Sequence, residues 1–162
     1  MTGLVQPFIS TVPGSLDAKG RVCIPATYRH ILSAQLPQAN QNTIGVYTCP
    51  SFIDPALDCF GQTLLDVINA RLAAQDPFFS ASFDDEATAL IARTQNLPID
   101  ENGRVRLPDA MIELAGLKDK IVFVGKAQKF QIWDATAYAP IEAEALARVK
   151  AKMERARSGD AS

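Results

Sequence analysis

One histidine, one tryptophan and three cysteines in 162 residues leave little of the side-chain chemistry that enzymes commonly recruit. His30 has no serine or cysteine at an obvious spacing, and a triad needs nucleophile, base and orienting group together, so it reads as a surface or core histidine. Cys23, Cys49 and Cys59 are odd in number, widely spaced and without a C-x-x-C pair. That argues against a disulfide framework and a zinc site, and predicts buried or half-buried thiols. Glycine-rich phosphate loops of the forms G-x-x-x-x-G-K and G-x-G-x-x-G are missing. Apolar runs are short: Ile121 to Val124 falls far below the roughly 20 residues of a membrane-spanning helix. The segment MTGLVQPFISTVPGS lacks a charged stretch followed by an apolar one. A cytoplasmic location with no membrane partner is the default expectation. The acidic triplet Asp84, Asp85 and Glu86 suits the first turn of a helix, where the macrodipole favours acids, better than a metal site. Nothing calls for a cofactor or a metal.

An excess of one charge is also missing. Sixteen basic and 18 acidic residues give a net charge of −2, which offers no bulk attraction for nucleic acid. The distribution is uneven, however. Residues 148–162 hold Arg148, Lys150, Lys152, Arg155 and Arg157 against Glu154 and Asp160, so a tail of +3 leaves −5 on residues 1–147.

What the chain does have is a repeat. SLDAKGRVCIP, from Ser15 to Pro25, returns as PIDENGRVRLP, from Pro98 to Pro108, with Asp17 and Asp100 83 positions apart. Upstream, FISTVPGSLD (Phe8 to Asp17) parallels IARTQNLPID (Ile91 to Asp100). Downstream, IGVYTCPSF (Ile44 to Phe52) parallels FQIWDATAY (Phe130 to Tyr138) at an offset of 86, matching Tyr47 with Trp133. The implied unit is a strand, a turn, a short strand, a helix, another strand and a final helix. Repeats at about 8–60 and 91–140, joined by a helical segment, predict one compact unit over 1–147, followed by a basic helical tail over 148–162.

Each piece has a physical reason. In D-A-K-G and D-E-N-G the Asp carboxylate can accept backbone amides two residues on, and Gly20 or Gly103 can take positive φ, as in a type I turn closed by a G1 bulge. Val22 and Ile24, like Val105 and Leu107, alternate with Cys23 or Arg106, which gives one apolar face. Pro25 and Pro108 end the ladder and suit a first helical turn. Helices are predicted over ATYRHILSAQL and over DAMIELAGL, the latter capped at Gly116. In FGQTLLDVINARLAAQ, the residues Leu64, Val67, Ile68 and Leu72 form a stripe expected to pack on the core. Ser82 is the expected N-cap of SFDDEATALIAR. DKIVFVG and KFQIWD read as strands joined near Gly125 to Gln128, with a helix from Thr136 onward.

Turn formation explains Asp17, Gly20, Asp100 and Gly103, but it does not require Arg21 and Arg104. A guanidinium on a rigid turn suits phosphates or the O6 and N7 of guanine; it equally suits a surface salt bridge to the Asp of its own turn.

These motifs resemble those of the MraZ family, regulators encoded at the head of the bacterial division and cell-wall gene cluster. SLDAKGRVCIPATYR resembles the family's first signature, DENGRVRLP its second, and KFQIWDATAY its aromatic segment before the last helix. One D-x-x-x-R copy would indicate only the wider AbrB-like superfamily. The resemblance implies an α+β, β-rich fold, a double-split β-barrel in which two repeats substitute for a homodimer. It implies a ring-forming homo-oligomer, nucleoid-associated, that represses its own operon by binding G-rich direct repeats in double-stranded promoter DNA. Arg21 and Arg104 would then be the DNA-contacting arginines, Lys19 an accessory phosphate contact, and Asp17 and Asp100 the residues that position the turns. Three departures stand out: Asn102 where the first copy has Lys19, Thr27 where the family often has a basic residue ahead of Arg29, and Arg106 where the first copy has Cys23. The alternative is an AbrB-like protein-interaction module of antitoxin type.

Overall fold

A computed structural model of the chain describes residues 6–40 and 43–159. The first half runs β1 (Thr11–Ser15), β2 (Arg21–Cys23), α1 (Ala26–Ala34), β3 (Gly45–Pro50), β4 (Ala56–Phe60) and α2 (Gln62–Ala73). Next comes α3 (Ala81–Ala87), which continues through a π-helical segment over Thr88–Ala92. The same order then returns as β5 (Gln95–Pro98), β6 (Arg104–Arg106), α4 (Asp109–Leu114), β7 (Lys120–Lys126), β8 (Lys129–Asp134) and α5 (Ala135–Arg157).

The two strands read in DKIVFVG and KFQIWD are present as β7 and β8, and the first half also has two strands after its first helix, where the repeat unit implied one. β4 takes in the first half the place of β8 in the second, because both run directly into a helix whose N-cap is Gly61 or Asp134. The match of Ile44–Phe52 with Phe130–Tyr138 is overturned. It rested on aromatic spacing, which a strand tolerates on either face, whereas hydrogen-bond register decides which strands correspond.

Six strands form one antiparallel sheet in the order β1-β7-β8-β4-β3-β5. That order reads the same from either edge once the halves are exchanged: the first strand of each half lies beside the third strand of the other. β2 and β6 form a separate antiparallel pair. Val22, Ile24, Val105 and Leu107 from this pair and its flanks join Leu57, Cys59, Phe123, Phe130 and Ile132 of the large sheet in the main core. An aromatic cluster anchors it, with Phe130 5.0 Å from Phe8 and 4.7 Å from Tyr28 between ring centroids. On the opposite face Trp133, Ala56 and Val124 pack under Tyr138 and Ile141 of α5. β8 is covered on both sides and is buried from Phe130 to Asp134, the polar Gln131 and Asp134 included.

The helix ends follow local chemistry, with corrections. Pro25 and Pro108 are the N-caps of α1 and α4, at φ −52 and −58, one step before the first turn. α4 closes in a Schellman arrangement, Gly116 N donating to Glu113 O at 3.0 Å and Leu117 N to Ile112 O at 3.0 Å. Ser80, not Ser82, caps α3: its Oγ accepts from Phe83 N at 3.1 Å, while Ser82 Oγ donates to Glu86 at 2.8 Å. The turn ahead of it starts the helix early, since the Asp76 carboxylate accepts from Phe78 N and Phe79 N. In α2 Leu72 is buried and Leu64, Leu65 and Ile68 are half-buried, whereas Val67 is 54% exposed. β7 and β8 pair as far as Lys126 with Lys129, which shortens the turn to Ala127–Gln128.

The cysteines divide. Cys49 and Cys59 are buried, and desolvation pushes both thiols up. Cys23 is exposed, against expectation, because Val22 and Ile24 on either side of it take the inward positions of a short strand. α5 runs on past its contacts at Tyr138 and Ile141, and its residues from Leu146 to Arg157 are exposed. Asp160, counted in the tail charge, lies outside the described residues. No helix among the described residues is long and apolar enough to cross a membrane.

Candidate functional site

The two repeated turns build the site. At the first, Asp17 Oδ1 accepts from Lys19 N at 2.9 Å and Arg21 N at 2.8 Å, and Gly20 N donates to Asp17 O at 3.0 Å. At the second, Asp100 Oδ1 accepts from Asn102 N at 2.9 Å and Arg104 N at 2.9 Å, and Gly103 N donates to Asp100 O at 2.9 Å. Gly20 and Gly103 sit at φ +78 and +80, where a β-carbon is strained. The sequence-level turn geometry is thus present at both places.

The same bonds set the electrostatics. The Arg21 amide, helped by its guanidinium and the Lys19 amide, holds the Asp17 carboxyl below the ordinary 3.8 against some desolvation. The Arg104 amide, and then that of Asn102, does the same for Asp100. Both turns therefore keep an ionised acid at their base at neutral pH.

Turn and ladder combine to bring the arginines together. β2 and β6 pair Arg21 with Arg106, Val22 with Val105 and Cys23 with Arg104. Leu107 N donates to Gly20 O at 2.8 Å and Ile24 N to Gly103 O at 2.9 Å, framing the ladder. By the alternation of antiparallel pairs, Arg21–Arg106 and Cys23–Arg104 are then non-hydrogen-bonded pairs, in which side chains stand closest, with Cα atoms about 4.5 Å apart. The valines are buried at 1% exposure each, so Arg21, Cys23, Arg104 and Arg106 share the outward face.

The arginines differ in what holds them. Arg21 Nε donates to Asp17 Oδ2 at 2.8 Å, the salt bridge within its own turn that was one of the two readings of this residue. Arg104 has no carboxylate within salt-bridge distance among the described residues, and its side chain is exposed. Lys19 is exposed at the first turn and Asn102 at the second.

Helix placement adds a residue that no local pattern pointed to at this spot. A β-carbon on Gly103 would lie 2.7 Å from Arg29 Cζ, whereas one on Gly20 would lie 3.3 Å from Ile112 Cδ1. The α1 helix of the first half therefore sets Arg29 against the turn of the second, and α4 sets Ile112 against the turn of the first. Arg29 Nε is steadied by donating to Ile24 O at 3.0 Å. The only hint in the sequence was that Arg29 and Ile112 follow their prolines at the same distance.

Other candidates go elsewhere. Glu86 accepts from Arg71 at 2.6 Å, Gln75 at 3.0 Å and Ser82 at 2.8 Å, so it serves the contact between α2 and α3. His30 lies on the exposed side of α1, next to a cavity of about 500 Å³ bordered by Pro7, Ile9 and Tyr28.

Comparison with known proteins shows which family the chain belongs to. The family model described as "MraZ protein, putative antitoxin-like" matches residues 90–158. The chain is 38% identical over 143 residues to the transcriptional regulator MraZ of Xanthobacter autotrophicus, covering 88% of this chain and 87% of that one. To the transcriptional regulator MraZ of Parvibaculum lavamentivorans it is 37% identical over 159 residues, covering 98% and 94%. The corresponding protein of Pelagibacter ubique is 33% identical over 149 residues, covering 92% and 90%. With likeness of this extent along nearly the whole chain, in both directions, the protein belongs to the MraZ family of transcriptional regulators, which is not a family of enzymes.

Proposed function

We propose that the chain is a sequence-specific DNA-binding regulator that represses its own division and cell-wall gene cluster by binding G-rich direct repeats in the promoter. Arg21 and Arg104 read guanine edges, Lys19 takes a phosphate, and Asp17 and Asp100 with their glycines fix the turns. The observation that carries this reading is the outward ladder face on which both turn arginines lie, supported by buried valines. Each bidentate guanine contact is worth about 1–3 kcal/mol of discrimination.

In this reading, residues 1–147 are one unit of two tandem AbrB-like repeats. The exchanged strands over the β2–β6 pair form a double-split β-barrel, and 148–162 is a basic tail. The protein works in the cytoplasm on the nucleoid. The body is acidic outside the tail, so a single chain holds DNA weakly, and assembly into a homo-oligomeric ring turns weak contacts into avidity along direct repeats.

The test is a titration of labelled DNA from upstream of the gene, with scrambled DNA as control, at two salt concentrations. Arg21→Ala and Arg104→Ala should each abolish specific binding while circular dichroism and assembly stay unchanged. A double variant that binds like the wild type would sink the proposal. Phe78 and Phe79, 88% and 90% exposed, favour the second reading, an antitoxin-type module whose main partner is another protein. Recovery of one stoichiometric protein partner with no promoter binding would select it.

A further inference from the structure

Arg106 is left over. It is outward-facing and exposed, takes part in no salt bridge among the described residues, and stands directly opposite Arg21. Like charges directly opposite one another across a strand pair are destabilising. Cys23, which holds the same place in the other half, carries no such cost. The fold gains nothing from Arg106 that a neutral residue would not supply.

The charges near the two ends of the ladder do not balance. On the outward face of the ladder, the first-turn end carries Arg21 and Arg106, whereas the second-turn end carries Arg104 and Cys23. The backbone is nearly two-fold symmetric and the charge is not.

We propose that Arg106 makes the paired turns an unequal reading head, in which the first-turn end takes an extra phosphate and thereby fixes the direction in which the chain lies on DNA. The inference rests on the DNA-binding reading above. A head with equal ends would accept a half-site in either direction, since protein two-fold symmetry matches palindromic DNA. Direct repeats have a direction, and an unequal head can follow it.

The experiment uses the full chain and fluorescent duplexes from upstream of the gene, one native and one with a single repeat inverted, titrated by anisotropy over a range of salt. Wild type should prefer the native duplex. Arg106→Ala should lower the slope of log affinity against log salt by about 0.9, the value for one phosphate, and lose most of that preference. Arg106→Lys should restore the slope. Cys23→Arg, which evens the two ends of the ladder face, should bind more tightly yet lose most of the preference between the duplexes. If wild type binds and Arg106→Ala keeps both slope and preference, the inference is overturned while the DNA reading stands. If wild type binds neither duplex, the DNA reading falls and takes this inference with it. Position 106 is solvent-facing, so a circular dichroism spectrum matching the wild type confirms that the variants are folded.

Discussion

The turn at Asp17–Arg21 and the turn at Asp100–Arg104 have the same backbone and different side-chain fates. Both hold glycine near φ +80 and both use one aspartate oxygen to bind two amides. In the first, the second aspartate oxygen also ties down Arg21; in the second, Arg104 has no such carboxylate partner among the described residues. Behind the first lies Ile112 and behind the second Arg29, because each turn is backed by the helix of the other half. A short motif thus dictates its own backbone, while the state of its functional side chain depends on neighbours that arrive from elsewhere in the chain.

The strongest way to break the comparison is to ask whether the halves are separable at all. Phe130 of the second half is fully buried against Phe8 and Tyr28 of the first. Phe130→Ala should cost about 3–5 kcal/mol and shift one cooperative transition. Urea unfolding followed by Trp133 fluorescence and by far-UV circular dichroism should give coincident curves; two separated transitions would mean that the halves fold independently.

A smaller effect compares the turns directly. Gly20→Ala and Gly103→Ala each place a β-carbon in the left-handed region, at about 1–2 kcal/mol. Gly103→Ala should cost the more, since it also displaces Arg29 at 2.7 Å, and it alone should alter the environment of that guanidinium. Thermal melts of the two variants at equal concentration measure the difference; a larger loss at Gly20 would contradict the packing described.

The smallest effect is electrostatic. Both turn aspartates titrate below 3.8 in the folded chain, so the unfolded chain binds protons more readily. Their contribution is therefore present above the ordinary carboxylate range and is lost as pH falls through the folded values. Asp17→Asn and Asp100→Asn keep an acceptor for the turn amides but cannot ionise. Each should flatten the fall in urea midpoint between pH 5 and pH 3, Asp17→Asn the more because Arg21 also binds that carboxylate through its side chain.

Much of this was legible in the sequence because it is local. Asp, Gly and Pro at fixed offsets specified both turns and both helix starts, and alternation around Val22 and Val105 gave the inward face. Two differences have different causes. Ser80 takes the cap from Ser82 because the local turn at Asp76 starts the helix two residues earlier, whereas Val67 is left exposed because neighbouring elements decide which side of α2 is covered. The correspondence of β4 with β8 is not legible in the sequence, because ALDCF and KFQIWD share a place in the ladder and hardly any residues.

By itself, the sequence determined that two arginines sit on two like turns: Asp and Gly act over four or five residues, and such forces need no distant partner. Only the tertiary structure decided that the turns share a face, that Arg106 meets Arg21, and that Arg29 serves the opposite half. Those outcomes depend on strands exchanged between halves, and hydrogen-bond register between segments some 80 residues apart leaves no mark on either segment alone.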